Sequence, residues 1–500
     1  MSDESIDVLV IGSGFGGAVA ANRLALAGKR VLLLERGPWR DSLPVRALGI
    51  SRRAPFPYGR KALTHFLHSL HGQRCSLRLN KNGFYEIGSL AGLYTLAAAS
   101  VGGGSLAYGG LVEPPRNTAM WHDRHPQLQA EAVERYYAKV ISDLGGAPIS
   151  RAQPLPQTVW EHFPTNDPRC QPADPQPLLA SLIPPTAALA GTLAPQPPGS
   201  LPREYCNFRG DSFLGSPGGA KASVDFIYLA PVLGKGLSVR DLCEVTHLAP
   251  ARDGHGGYSV SYKDLAAGTT HSVRAPSVVL AAGTLNTLKL LFAGAQAEAG
   301  LAPMPALGRG FFANGDMLGA WVNRAARLPS FDSPPVQGAL TLAGYEDYVI
   351  GIGGLPGFET WPLPGFVKRF LAKVFFVYAM GADSTRASVT WVKGRLRSDY
   401  DYRQEPIYAR LRQAFGIISE VSGHKAYPLR KPLSPHMGGG ARLGANASEG
   451  VIDHCGEVYG NPGLYVVDGA ALPAAPGGPP SVTIAAWAHH VADGIARRGC

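Results

Sequence analysis

The sequence predicts an α/β fold, α+β overall, organised around a dinucleotide-binding βαβ unit. Three observations predict it. An apolar run, Ile6 to Ile11, leads into Gly12, Gly14 and Gly17 in GxGxxG spacing. A second apolar run, Lys29 to Glu35, ends in an acid eighteen residues after Gly17. Two later apolar runs, Ser277 to Gly283 and Leu464 to Gly469, again end in glycine.

Each element follows from its residues. Ile6 to Ile11 is short, apolar and bounded by glycine, which reads as a buried strand. Gly16 to Leu26 is alanine-rich and reads as a helix. Gly12 permits the tight turn between them, Gly14 lets backbone approach a phosphate, and Gly17 lets helix and strand pack closely. The N-terminus of the helix then faces a pyrophosphate with free N–H groups. Glu35 is placed to accept hydrogen bonds from a ribose. Residues 42–80 are basic and dotted with aromatics (Arg52, Arg53, Phe56, Tyr58, Arg60, Lys61, Phe66) without a clear period, and read as a lid. Residues 150–205, with Pro184-Pro185 and Pro197-Pro198, read as a long surface excursion. Leu237–Val245, Tyr258–Tyr262 and Thr270–Val273 read as a meander. Ser277 to Gly283 reads as another buried strand, followed by a helix from about Leu285.

Composition narrows the function classes. Five hundred residues make two intimately packed domains the natural expectation. The net charge is +10, but basic residues form no long run, which argues against nucleic acid and for a basic surface around an anionic cofactor or substrate. The six cysteines contain no CxxC pair, so neither a disulfide framework nor a zinc site is expected, and no metal is assigned. The thiols suit a reducing cytoplasm. The acidic start, with Asp3, Glu4 and Asp7, lacks the basic region of a signal peptide. Ile87 to Val112 is uncharged and long enough for a bilayer, yet its glycines weaken a helix. It is read as buried chain against a cofactor, with a membrane span as the alternative.

Several segments, in their order along the chain, resemble the glucose–methanol–choline (GMC) oxidoreductases. They are Glu35-Arg36-Gly37, Ser100 to Ser105, Val278 to Gly283, His436 to Gly444, Asp468-Gly469 and Pro480 to Ala486. Lys221 to Ala230, Asn314-Gly315-Asp316 and Gly357 to Trp361 resemble the bacterial cholesterol oxidase branch. The resemblance implies FAD as cofactor, a small apolar molecule as substrate, and oxygen or another electron acceptor. It implies an FAD domain (1–41, 80–120, 206–315 and 430–500) and a discontinuous substrate domain and lid (42–79, 121–205 and 316–429) built on an antiparallel sheet with helices. Gly12, Gly14, Phe15, Gly16, Gly17 and Glu35 would hold the ADP half. Gly103, Gly104, Ser105, Gly283 and Ser481 would border the rest of the cofactor. Val245 would meet the adenine, and Asp468 with Gly469 the ribityl–phosphate region. His436 falls at the family's active-site histidine. Of a four-cysteine signature carried by some relatives only Cys206 remains, which excludes an iron–sulfur cluster there.

The implied chemistry is oxidation of a hydroxyl, with hydride passing to flavin N5 and the hydroxyl proton to a base. A histidine suits that exchange near neutrality. Two departures stand out. Pro479 occupies the place of a family His or Asn and has no polar side chain. Counting back from Gly357 to the branch's glutamate base lands on Ile350, with Gly351 beside it and Glu346 and Asp347 a register shift away. Loss of both partners motivates an alternative, a non-redox lyase, isomerase or cyclase on a flavoprotein scaffold. Tyr108 is either a proton donor or an aromatic packed on the flavin. The apolar stretch Phe366, Phe370, Leu371, Val374, Phe375, Phe376 and Tyr378 either lines a large pocket or is ordinary core. His489 and His490, on the last helix, are expected to be structural or exposed.

Overall fold

Strands buried on both faces read as continuous apolar runs, and parallel sheets are built from them. In the computed structural model, which describes residues 6–72, 75–149, 159–163, 166–174, 177–252 and 254–497, this holds for the first sheet. β1 (Val8–Ile11) and β2 (Val31–Leu34) are wholly buried and flank helix α1 (Phe15–Leu26) in the sequence. The strands Leu237–Arg240, β2, β1, Ser277–Leu280 and Leu464–Val466 lie side by side in that order, all parallel. The expected meander is corrected at its start. Leu237–Arg240 pairs with β2 and extends the parallel sheet, and the antiparallel meander begins at Cys243–Pro250. Two residues, Asp241 and Leu242, separate the strands, and Leu242 has φ +56°, which turns the chain from one sheet to the other.

Glycine governs how closely these elements meet. Gly12 has φ +96°, and a Cβ there would collide with the Ala281 carbonyl. A Cβ on Gly17 would strike the Gly12 carbonyl. Helix α1 also packs against the final helix, Ser481–Arg497.

A second sheet has six antiparallel strands. Their order is Ala426–Pro428, Met317–Val322, Val374–Met380, Val349–Gly353, Gly338–Leu342 and Cys170–Pro172. Strand alternation divides its two faces. Ile350, Ile352, Phe375 and Val377 enter the main core, whereas Val349, Tyr378 and Met380 join a second apolar cluster with Leu111, Leu179 and Val336. The stretch beginning at Phe366 is therefore split. Phe366 and Phe370 are 68% and 58% exposed, Phe375 is core, and Phe376 and Tyr378 border the second cluster.

Ile87 to Val112 is no helix. Tyr85–Leu90 and Leu93–Ala98 form a hairpin, followed by a single 3-10 turn at Gly103–Leu106. Among the described residues no helix is long and apolar enough to cross a membrane. Leu67–His71 and Ser76–Arg78 pair beside that hairpin, so the expected boundary at residue 80 falls between hydrogen-bonded strands. Of the proline-rich excursion, residues 150–158, 164–165 and 175–176 lie outside the described residues. Cys75, Cys170, Cys206 and Cys243 are free, whereas Cys455 is disulfide-bonded. Its bond removes the thiolate from a group with Asp453 and His454 that otherwise has metal-ligand proximity.

Candidate active site

Helix α1 opens at Gly14 with no side-chain cap and no acid in its first turn. Its first N–H groups therefore offer an unneutralised positive end. A Cβ added to Gly103 would stand 2.8 Å from Gly14 Cα, so the glycine loop lies directly against that end. An added Cβ at Gly14, Gly104 or Gly283 would meet no atom within 4 Å. These three segments thus make a cradle walled by backbone, which fits an extended pyrophosphate-containing cofactor such as FAD.

Two acids hold the cradle together. Glu35 Oε2 accepts from the Ser13 N–H (3.0 Å) and Ser13 Oγ (2.7 Å), and Oε1 accepts from the Gly37 N–H (2.8 Å). A carboxylate offers about four acceptor sites, so one remains for a ribose hydroxyl. Burial pushes the Glu35 carboxyl above its ordinary range, opposed by those donors and by Arg36. Ser13 Oγ also accepts from the Gly102 N–H at 3.0 Å, tying the glycine loop to the same point. Asp468 plays the matching part on the other side. It accepts from the Gly283 N–H (2.9 Å), Thr287 Oγ1 (2.5 Å) and the Ala470 N–H (2.9 Å), and burial raises it to about 6. Ser13 and Thr287 escaped sequence reasoning. Nothing in a lone hydroxyl marks it until the fold brings a carboxylate to it.

The remaining expected cofactor residues take these places. Phe15 meets Tyr108 edge-on at 5.5 Å between ring centres. Gly16 is pressed against the Val467 carbonyl. Ser105 Oγ donates to the Gly102 carbonyl (2.7 Å) and accepts from the Val224 N–H (3.0 Å). Val245 sits at a bulge in Cys243–Pro250. Gly469 accepts from the Gly439 N–H at 2.9 Å, and Ser481 opens the final helix. The Tyr108 hydroxyl donates to the Ala222 carbonyl at 2.8 Å, and burial holds the phenol well above its usual range. Lys221 donates to the carbonyls of Leu106, Tyr108 and Ser212, fixing the chain just after the glycine loop, and burial lowers it to about 7.

His436 follows the short strand Leu433–Ser434, which pairs parallel to Leu93–Ala98. The next residues are clamped from two sides. Gly438 exchanges backbone hydrogen bonds with Phe312, and Thr284 Oγ1 donates to the Met437 carbonyl at 2.6 Å. His436 Nδ1 lies 3.0 Å from Asp316 Oδ1. Asp316 is 1% exposed and His436 25%. Ser434 Oγ donates to Asp316 Oδ2 (2.8 Å) and accepts from the His436 N–H (3.1 Å). An ionised carboxylate only accepts, so the proton of a neutral His436 belongs on Nδ1 and Nε2 is left as the acceptor. Asp316 is a functional candidate that sequence reasoning passed over, although it closes the Asn314-Gly315-Asp316 motif.

The segments that carry the two departures approach each other, a Cβ on Gly478 standing 3.3 Å from Val349 Cγ2. Ile350 faces the main core, Gly351 has no side chain, and the Tyr378 hydroxyl fills the place of a Gly351 Cβ. Glu346 and Asp347 are exposed in the preceding turn. Pro479 is buried beside Gly478. Asn314 holds that segment by accepting from the Gly477 N–H (3.0 Å) and donating to the Gly478 carbonyl (3.0 Å). His489 is buried and stacked on Tyr136 at 5.1 Å, and His490 meets the His454 carbonyl at 2.8 Å.

Comparison with known proteins points to the same cofactor. Residues 5–54 match the family model of an FAD binding domain, and residues 195–313 and 429–488 match those of GMC oxidoreductases. A cholesterol oxidase from Acinetobacter baumannii is 24% identical, the match covering 96% of this chain and 93% of that protein. A long-chain-alcohol oxidase from Arabidopsis thaliana is 23% identical, covering 98% of this chain and 66% of that protein. The solved structure of a pyridoxine 4-oxidase from Mesorbium loti superposes with a TM-score of 0.58 at 18% identity, covering 98% of this chain and 99% of that one, and shares the fold.

Proposed function

Starting from a chain that belongs to the GMC oxidoreductase family and binds FAD, we propose that it oxidises a hydroxyl group on a bulky apolar molecule such as a sterol, terpenoid or polyketide. The observation that carries the reading is the His436–Asp316 pair, held within 3.0 Å on a segment that is bonded to the glycine-walled cradle through Thr284 and Gly469. FAD supplies the two-electron acceptor that no side chain can. The chain supplies position and proton transfer. His436 Nε2 takes the substrate hydroxyl proton, and Asp316 fixes the ring and stabilises the imidazolium that results. The apolar cluster of Leu111, Leu179, Val336, Val349, Tyr378 and Met380 gives a bulky substrate a dry surface. The names of the two curated relatives, a cholesterol oxidase and a long-chain-alcohol oxidase, support a hydroxylated apolar substrate. Oxygen or another acceptor then takes the electrons.

The test is anaerobic titration of the yellow protein with dodecan-1-ol and a 3β-hydroxysterol, checking products by mass. Bleaching of the oxidised-flavin band with loss of two hydrogens from the alcohol supports the reading. A second reading, non-redox chemistry, is favoured by one observation, that neither Ile350 nor Pro479 offers a polar side chain. Conversion of a ligand to a rearranged or cleaved product beside an unbleached flavin would replace the first reading with the second.

A further inference from the structure

Pro479 cannot donate a hydrogen bond to a substrate oxygen, and Ile350 points away. The structure brings a cation, Arg116, beside the same segment. A Cβ on Gly478, the neighbour of Pro479, would stand 3.3 Å from Val349 Cγ2 and 3.8 Å from Arg116 Cγ. A Cβ on Gly477 would stand 3.4 Å from Arg116 Cβ. Asn117 fixes the alignment, its N–H donating to the Pro476 carbonyl (2.9 Å) and its side chain to the Ala475 carbonyl (3.1 Å). Arg116 thus lies over the two glycines that precede Pro479, beside the strand that carries Ile350.

Its donors are uncommitted. Among the described residues the one ionic partner of Arg116 is Glu113, with Nη2 and Oε2 3.7 Å apart, beyond hydrogen-bond distance. Glu113 Oε2 is itself buried without a hydrogen-bond partner. Leaving the Glu113 oxygen unfilled is costly, whereas the Arg116 side chain is 46% exposed, so its donors are held by water and free to be turned to a ligand. Burial, with a further push from the Glu113 carboxylate, holds the Tyr378 phenol of the apolar cluster above its usual range. The same segment is continuous with the histidine, because Asn314 holds Gly477 and Gly478 and donates to Asp316 at 3.5 Å.

We infer that Arg116 is the hydrogen-bond donor to the substrate oxygen, held by Glu113, in the place left by Pro479. The role rests on the alcohol-oxidation reading. As the hydroxyl proton passes to His436 Nε2, negative charge grows on the substrate oxygen, and a guanidinium N–H aimed there stabilises it. Glu113 is a positioning residue. It holds the guanidinium and offsets its charge.

The experiment uses the FAD-loaded protein and two readouts. Sulfite, an anion that binds reversibly at oxidised flavins, reports positive charge beside the flavin without any alcohol. Dodecan-1-ol and a 3β-hydroxysterol report chemistry through the rate of anaerobic bleaching. Arg116→Met should weaken sulfite binding at least tenfold and slow bleaching on the order of 10² to 10³, the usual loss for one oriented donor. Arg116→Lys should keep sulfite binding and lose most of the rate, because the fork is gone. Glu113→Gln should keep or tighten sulfite binding yet slow bleaching, and Glu113→Asp should recover part of it. Unchanged sulfite affinity in Arg116→Met, or no sulfite binding by the unmodified enzyme, would overturn the inference. If neither alcohol bleaches the unmodified enzyme, the alcohol reading fails, while the sulfite series still decides where Arg116 points.

Discussion

The cofactor cradle and the substrate end are built by opposite means. The cradle is made of backbone. Its shape depends on glycines at Gly12, Gly17, Gly103 and Gly283 and on two carboxylates, Glu35 and Asp468, each holding three hydrogen bonds within the chain. The proposed substrate end draws on side chains that arrive from distant segments, Arg116, Asp316, Tyr378 and His436, and three of them are only partly committed. The difference teaches where substitution is tolerated. A backbone site fails through the fold, whereas a side-chain site fails through chemistry while the fold stands.

The largest expected effect tests the first half of that statement. Gly12→Val puts a side chain at φ +96° into the Ala281 carbonyl, and more than about 4 kcal/mol of stability should be lost. Soluble, flavin-free protein or no soluble protein is expected. Gly104→Leu makes the comparison sharper, because its Cβ would meet nothing within 4 Å. Chemical denaturation of the cofactor-free variant should stay within about 0.5 kcal/mol of the parent. Flavin content, read from absorbance, should fall nearly to zero. A Gly104→Leu protein that purifies fully yellow would break the assignment of that loop.

His436→Ala tests the second half. Bleaching by the alcohol that reduces the parent should slow by about 10² to 10⁴, the range for loss of a general base. Flavin content should hardly move, and the thermal midpoint should fall by a few degrees, about what losing one partner of the buried Asp316 carboxylate costs.

The contrast also explains what was legible in the sequence. Glycine spacing between apolar runs dictates backbone, so β1, α1, β2 and the strand Ser277–Leu280 could be read with boundaries good to about three residues. The same logic failed at Leu237–Val245. Alternation cannot tell one strand from two when Asp241 and Leu242 are the only break. His436 could be singled out because glycines mark its segment. Asp316 and Arg116 could not, since no local pattern says that Asp316 meets His436 or that Arg116 lies over Gly477 and Gly478. Which way Ile350 faces depends on its register against Ala379, a property of the folded sheet.

Asp468 gives an effect of intermediate size with a definite sign. Its carboxyl rises to about 6 when buried, against about 3.9 in an unfolded chain. The native state therefore binds the proton more tightly. The stability this contributes is fully present below about pH 4 and is lost as pH rises through about 6, up to about 3 kcal/mol. Asp468→Asn removes that dependence. The stability difference between parent and variant, measured by denaturant titration of cofactor-free protein, should shrink from pH 4 to pH 6.5. A constant difference would mean that the carboxylate is as well solvated by its three donors as by water.

The smallest effect probes how far the substrate end depends on orientation alone. Asp316→Asn preserves size, and its amide oxygen can still accept from His436 Nδ1, but the charge is lost. If Asp316 only holds the ring, the rate of bleaching should fall a few fold. If it also stabilises the imidazolium formed when Nε2 takes a proton, the loss should reach about 10- to 100-fold. Asp316→Ala separates the two, because it removes orientation as well. A rate in Asp316→Asn equal to that of Asp316→Ala assigns the whole effect to charge. A rate midway between parent and Asp316→Ala assigns about half to geometry, and then Ser434, which bonds both Asp316 and the His436 backbone, is the next residue to remove.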